Sequence, residues 1–413
     1  MCAVGLIVEY NPFHNGHLYH LNQSKAITGQ DAVVAVMSGH FLQRGEPALL
    51  DKWSRTELAL KGGCDLVLEL PVAYATSSAE WFAYGAVALL EATGIVSDIC
   101  FGTESGQLQP LFHAANMLAD EPLSFSEKLN HHLKNGLTFP TAYSKALTEE
   151  LRNSINLHEE FRFDLPNHTL GLHYLIALRR LQSSIKPHTI AREKAQYSET
   201  SLLDKHIASA TAIRKQILQA GSLQAIQSFV PATTYEGLQH YASKNKPFMS
   251  WEHFFSKLVH QIVTQTPDEL KQYREIQEGL ENRIKSSLPS LATSQFDSLL
   301  NALKTKRYTQ TKLQRALLAI LLNHTKQRLS REALQSGISY IRVLGFNEKG
   351  QQLLKQMKKT AKLPIVHSPK QLKDLPFMLE LDIQATGVYM LAQPGQQDLQ
   401  SLILDYILPP IRL

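Results

Sequence analysis

Apolar, β-rich runs recur through the first half of the chain, at residues 3–8, 32–37, 65–70, 98–102 and 188–191. Between them the apolar spacing becomes helical, over 16–26, 52–61, 78–91, 108–117, 143–153 and 170–181. Near-continuous apolar strands alternating with helices predict a parallel sheet covered on both faces. From about Pro231 onward the pattern is mainly helical, over 251–264, 267–286, 295–303, 310–322 and 331–335. A small α/β element closes the chain, with strands at 340–344 and 363–367 around a helix at 348–360. The expected fold is therefore α/β: a parallel-sheet domain over residues 1–225, then a mainly helical domain over 226–413.

Ligands of such sheets bind beyond the carboxyl ends of the strands. That rule singles out Glu9 to His17, Ser38 to Arg44, Glu69-Leu70-Pro71, Gly102-Thr103-Glu104 and Arg192. The first stretch carries the sharpest chemistry. His14-Asn15-Gly16-His17 follows a buried strand and opens a helix, whose free N–H groups and positive dipole end attract phosphate. Gly16 lets a phosphate approach the backbone, and imidazoles can donate to phosphoryl oxygens. A second segment, Ile207-Ala208-Ser209-Ala210-Thr211-Ala212-Ile213-Arg214, opens another helix with two hydroxyls and an arginine one turn on. Ser209 or Thr211 can cap it. Together the two segments form a two-sided clamp for a triphosphate and its departing pyrophosphate.

Length and composition change this picture in one respect. The chain has 413 residues, enough for two or three domains, and a net charge of +5 that is unevenly spread. Residues 1–209 hold 16 Lys and Arg against 22 Asp and Glu; residues 210–413 hold 26 against 15. An acidic phosphate-binding half joined to a basic half suggests a catalytic domain followed by a polyanion-binding one. Cys2, Cys64 and Cys100 are scattered, without metal-ligand spacing, and read as thiols of a reducing, cytoplasmic protein. No apolar run reaches membrane-span length, and the N-terminus lacks signal-peptide features.

The two phosphate segments resemble the HxGH and Ser-Thr-x-x-Arg signatures of the nucleotidylyltransferase superfamily, with Ser209-Ala210-Thr211 a slight departure. Further segments are similar to the bacterial tRNA(Met) cytidine acetate ligase family: Gly5 to His20, Met37 to Ala48 with its Gln43-Arg44-Gly45-Glu46-Pro47-Ala48 string, Asp65 to Pro71, Phe101 to Glu104, Pro166-Asn167, Thr305 to Thr309 and Arg342 to Phe346. The resemblance implies a Rossmann-like nucleotidylyltransferase domain that activates acetate with ATP as acetyl-adenylate. The acetyl group then passes to the exocyclic amine of the wobble cytidine in elongator tRNA(Met), and AMP leaves. It implies catalytic roles for His14, His17, Ser209, Thr211 and Arg214. It also places ATP on Ile7, Val8, Glu9, Tyr10, Asn11, Pro12, Phe13, His14, Asn15, Gly16, His17, Leu18, Tyr19 and His20, with Gly102, Asn167 and Arg192 as further contacts.

Other residues are assigned by chemistry. Gln43, Arg44 and Glu46 suit the acetate or the cytidine, although Arg44 can equally tie Glu46 or Glu69 into an ion pair. Lys25, Lys52 and Arg55 can reach phosphate or form a solvated face, and Glu9 can orient its loop. Lys304, Lys306, Arg307, Lys312 and Arg315 are candidate tRNA phosphate contacts, together with the stretch from Lys355 to Lys362, and Tyr308 is a candidate base-stacking ring. Mg2+ is expected with the ATP, without a dedicated carboxylate cluster. Two other functions remain open: a small-molecule adenylyltransferase of the phosphopantetheine or nicotinate-mononucleotide type, and a non-enzymatic tRNA-binding protein with structural ATP.

Overall fold

The computed structural model describes residues 2–119, 122–151, 161–191, 207–305, 308–395 and 398–413. At its centre lies one sheet of eight strands: β1 (Ala3–Val8), β2 (Ala32–Ser38), β3 (Leu66–Leu70), β4 (Val96–Thr103), β5 (Lys186–Ala191), β6 (Ile341–Phe346), β7 (Ile365–Val366) and β8 (Ile411–Arg412). The path runs β5-β4-β1-β2-β3-β6-β7, with β8 also on β6. The first five strands are parallel.

Alternation along β1 shows why its apolar run is nearly unbroken. Val4, Leu6 and Val8 share one core with Leu18 and Leu21 of α1 (Asn15–Thr28) and Leu58 to Leu60 of α2 (Lys52–Lys61). Gly5 faces the other layer, where a Cβ would lie 2.7 Å from Leu90 on the Ala79–Thr93 helix. Both faces are thus covered by helices, as a parallel sheet requires. The chain reverses its direction of travel between β1 and β4, and that is the point where a crevice opens at the carboxyl ends.

The closing α/β element does not stand apart. β6 pairs antiparallel with β3, Leu66 opposite Phe346, so the C-terminal strands extend the sheet formed by the first five. The reason is physical: β7 and β8 contribute only two residues each, too little for an independent sheet, whereas β3 would otherwise expose an edge. All six residues of β6 are buried.

Two helical expectations differ. Residues 267–286 are not one helix but Pro267–Leu270 and Leu280–Ser287. Glu275, Glu278 and Gly279 between them take positive φ angles of 64°, 55° and 82°, which end a right-handed helix. The chain also forms a helix at Leu123–Lys134 that the apolar spacing does not announce; it packs beside Phe139–Leu151. Among the described residues no helix is long and apolar enough to cross a membrane.

Candidate active site

The histidine loop is built by β1 and closed by α1. Beyond Val8 the chain turns through Tyr10, at φ 46°, and reaches His14, which caps α1. His14 Nδ1 accepts from the Gly16 N–H at 3.0 Å, and His17 Nδ1 accepts from the His14 N–H at 3.4 Å. A nitrogen that accepts from a backbone amide carries no proton, so each neutral ring holds its hydrogen on Nε2. Both Nε2 groups are therefore donors, the form a phosphate needs. The rings stack with centroids 3.7 Å apart, and Tyr10 packs edge-on against His17 at 4.9 Å. Gly16 is required by this arrangement: a Cβ there would meet His14 Cε1 at 2.9 Å.

The other residues of the 7–20 stretch divide by exposure. Val8, Tyr10, Asn11, Pro12, Phe13 and His14 are buried; Ile7, Glu9, Asn15, Gly16, His17, Leu18 and His20 are half-buried, and Tyr19 is exposed. Phe13 is wholly within the core, so only its backbone can meet a ligand. Asn11 Oδ1 accepts from Leu49 N–H at 2.7 Å, and Asn15 Nδ2 donates to the Ser228 carbonyl at 2.9 Å, pinning the loop from two sides.

The second phosphate segment meets the first. Ser209 caps the Ala210–Ala220 helix, accepting from Ala212 N–H at 3.1 Å. Thr211 stays exposed. Arg214 donates to the Asn11 carbonyl at 3.0 Å and to Glu46 at 2.9 Å, and lies 3.4 Å from Thr211 Oγ1. One guanidinium thus ties together the histidine loop, the second helix start and the Gln43–Ala48 string.

That string is held from both halves of the chain. Gln43 N–H donates to Glu9 at 2.8 Å, and its amide reaches the Ser77 carbonyl at 3.2 Å. Trp251 Nε1 donates to the Gly45 carbonyl at 3.0 Å. Gly45, at φ 75°, lies against the backbone of the Gln310–Leu321 helix, where a Cβ would come within 2.5 Å of Arg315 N. Arg44 is exposed and forms no ion pair among the described residues; Glu46 is taken by Arg214 and Glu69 by Lys52. Burial raises the Glu9 carboxyl above its usual range, against the Gln43 N–H, Arg44 and Arg214, while Glu46 adds to the rise.

Lys52 and Arg55 do not reach toward phosphate. Lys52 is wholly buried, 2.8 Å from both Glu69 and Asp405. Arg55 is equally buried and donates to the carbonyls of Glu9 (2.6 Å), Ser38 (3.0 Å), Leu50 (3.3 Å) and Gly39. It braces the carboxyl ends of β1 and β2, a role invisible in the sequence because all its partners are main-chain atoms.

On the far side of the crevice, Gly102 is the penultimate residue of β4, paired with Ile190. Asn167 opens the Pro166–Arg180 helix, where Glu104 accepts from Asn167 N–H at 2.9 Å, its side-chain amide at 2.8 Å and His168 N–H at 2.9 Å. A carboxylate accepts only, so Asn167 presents nitrogen to Glu104 and turns its oxygen elsewhere. Sequence reasoning missed Glu104 in this role; an acid just after a strand is also an ordinary surface residue. Arg192 lies outside the described residues.

Of the tRNA candidates, Lys306 and Arg307 also lie outside the described residues. Lys304 is exposed, Lys312 is half-buried over the Tyr308 ring at 5.2 Å, and Arg315 pairs with Glu275 at 3.0 Å. Tyr308 is not a stacking platform: it is 7% exposed, with its hydroxyl donating to the Gln277 carbonyl. Lys355, Lys358 and Lys359 form a solvated helix face, whereas Lys362 pairs with Glu91. Among the described residues no group of three His, Cys, Asp or Glu is placed to hold a metal ion.

The profile of the HIGH Nucleotidyl Transferase family matches residues 1–401. The tRNA(Met) cytidine acetate ligase of Lysinibacillus sphaericus is 42% identical over 416 residues, covering 100% of both chains. That of Anoxybacillus flavithermus is 39% identical over 413 residues, again covering 100% of both. Among solved structures, Thermotoga maritima TmcAL without ligand is similar with a TM-score of 0.92 and 35% identity, covering 100% of both chains. The same protein bound with alpha-thio ATP gives 0.90 and 34%, also over 100% of both.

Proposed function

The chain belongs to the HIGH nucleotidyl transferase family, within the group of tRNA(Met) cytidine acetate ligases, and from that premise we propose how its residues perform the reaction. It is an ATP-dependent ligase that acetylates a cytidine of tRNA(Met). Acetate at neutral pH is an ionised, poor acyl donor. Attack of its oxygen on the α-phosphorus of ATP expels pyrophosphate and gives acetyl-adenylate, whose AMP group leaves readily. The exocyclic amine of the wobble cytidine then takes the acetyl group.

The observation that carries this reading is the convergence of two helix starts on one loop. The Nε2 hydrogens of His14 and His17, with the positive dipole end of α1, face charge developing on the α-phosphate. Arg214 and the start of the Ala210–Ala220 helix, with Ser209 and Thr211, hold the pyrophosphate end. Gly102 and Asn167 take the nucleoside end. Arg44, exposed beside Glu9, is the cation available to the acetate carboxylate. Mg2+ bound to the nucleotide would neutralise part of the triphosphate charge beside Arg214.

Gly45 gives the reading its second half. It sets the Gln43–Ala48 loop directly on the Gln310–Leu321 helix, and Lys304, Lys312 and Arg315, on and before that helix, are the residues we assign to tRNA phosphates. The division into a catalytic part, residues 1–225, and a tRNA-binding part, 226–413, is thus functional, while the sheet is shared. The substrate is cytoplasmic, and so is the protein.

Acetate-dependent exchange of labelled pyrophosphate into ATP tests the first step. Exchange stimulated by acetate supports it; exchange stimulated by phosphopantetheine or a pyridine mononucleotide instead would overturn it. His17→Ala should abolish the exchange while leaving tRNA affinity largely intact.

A further inference from the structure

We propose that Glu9 is the group that receives the target amine: its carboxylate accepts a hydrogen of the exocyclic N–H2 and takes the proton as the acetyl–nitrogen bond forms. The inference rests on the acetyl transfer proposed above.

Its position comes first. Glu9 is the residue immediately after β1, at the carboxyl end of the sheet and beside the reversal between β1 and β4. Its main-chain oxygen is gripped by buried Arg55 at 2.6 Å, so the residue is fixed by the core and not by the loop's own packing. One carboxylate oxygen, Oε1, accepts from Gln43 N–H; among the described residues nothing donates to Oε2. Arg44, Arg214, Arg55 and Glu46 are the charged groups that face it.

Elimination points the same way. A proton acceptor for the amine must lie at the carboxyl ends and have an oxygen or nitrogen to offer. His14 and His17 use Nδ1 on backbone amides and present only Nε2–H. Glu46 is engaged by Arg214, Glu69 by Lys52, and both oxygens of Glu104 accept from the Pro166–Arg180 helix start. Among the described residues Glu9 and Glu46 each keep one unbonded oxygen, and of the two only Glu9 is in no ion pair and is anchored to the core through Arg55.

The chemistry of the reactants decides what that oxygen is for. ATP, acetate and acetyl-adenylate present only acceptors and negative charge at the reacting centre, so a carboxylate there repels each of them. The amine of cytidine brings two N–H donors. A fixed carboxylate therefore favours cytidine over uridine, whose equivalent carbonyl oxygen would be repelled. In the step itself, the amine lone pair forms the bond to the acetyl carbon. The bond from that carbon to the phosphate oxygen breaks, and AMP leaves with its electron pair. The amine proton passes to Glu9 and from there to solvent. Burial raises the Glu9 carboxyl, which brings its basicity closer to the working pH.

The test separates activation from transfer. Hydroxylamine added to protein, ATP and labelled acetate traps acetyl-adenylate as acetohydroxamate without needing an enzymic base. Glu9→Gln should lower acetyl transfer to tRNA by about a hundredfold, with trapped hydroxamate falling far less. The unaltered protein should lose transfer as pH falls through the raised Glu9 range, because only the ionised form accepts the proton; Glu9→Gln should lose that limb, and Glu9→Asp should recover part of the rate. Equal loss of trapping and transfer in Glu9→Gln, or transfer at the unaltered rate and pH profile, would overturn the inference. If the unaltered protein yields no hydroxamate, the ligase reading fails and takes this inference with it.

Discussion

Alanine at position 16 would put its Cβ 2.9 Å from His14 Cε1 and 3.1 Å from Nδ1, and either the ring or the helix start must shift. Gly16→Ala should therefore weaken ATP binding about tenfold, some 1.4 kcal/mol, with little change in melting temperature; titration calorimetry reads the first and a thermal scan the second. Lys52 behaves in the opposite way. Its ammonium sits between Glu69 and Asp405 with no exposure, so Lys52→Met leaves two buried carboxylates facing one another. The expected cost is about 3–5 kcal/mol, measured as a lowered denaturant midpoint. The two residues also differ in how legible they are. The role of Gly16 follows from a local string of four residues, whereas Lys52 reads as a surface cation because Asp405, its partner, is 353 positions away. Tyr308 misleads for the same reason: its hydroxyl is held by Gln277, 31 positions away.

At the scale of elements, the starts of three helices do most of the positioning. α1 is capped by His14, the Ala210–Ala220 helix by Ser209, and the Pro166–Arg180 helix start receives Glu104 from the end of β4. Removing that carboxylate frees Asn167 to turn. Glu104→Ala should raise the KM for ATP several-fold and leave acetate saturation nearly unchanged, as steady-state kinetics would show; a uniform fall in kcat would argue for a purely structural role. The loop from Gln43 to Ala48 is the other element that matters. Gly45→Ala combines a positive φ with backbone contact to Arg315, so it should loosen the loop from the Gln310–Leu321 helix and lower transfer to tRNA more than pyrophosphate exchange. Bounds of the strongly periodic helices were readable from the apolar pattern: α2, Arg331–Gln335 and Glu348–Thr360 run where it places them. The break between Pro267–Leu270 and Leu280–Ser287 was not, since Glu275 and Glu278 in the left-handed region carry no signal in composition.

Across the whole molecule, the two halves of the sequence share one sheet and one large core. Phe41 from the second loop packs on Phe254 and Tyr389, and Tyr389 donates to the Ala48 carbonyl. The chain's last elements complete the edge of β3 and bring Asp405 to Lys52 and Arg342. Thermal unfolding should accordingly show a single calorimetric transition despite the sharp charge division at mid-chain; two resolved transitions would indicate independent halves. Charge asymmetry pointed to two functions but not to one architecture, because parallel strands and a distant antiparallel edge are joined by pairing that no local pattern encodes. The division of labour predicts that Lys304→Ala with Lys312→Ala reduces the salt slope of tRNA binding by about 2 while leaving pyrophosphate exchange in place. The most direct test of the central claim is nucleoside mass spectrometry of elongator tRNA(Met) incubated with the protein, ATP and isotopically labelled acetate. Labelled N4-acetylcytidine at the wobble position, dependent on ATP and lost in His17→Ala, is the predicted result; unmodified cytidine, or label recovered only in a small-molecule adenylate, would contradict it.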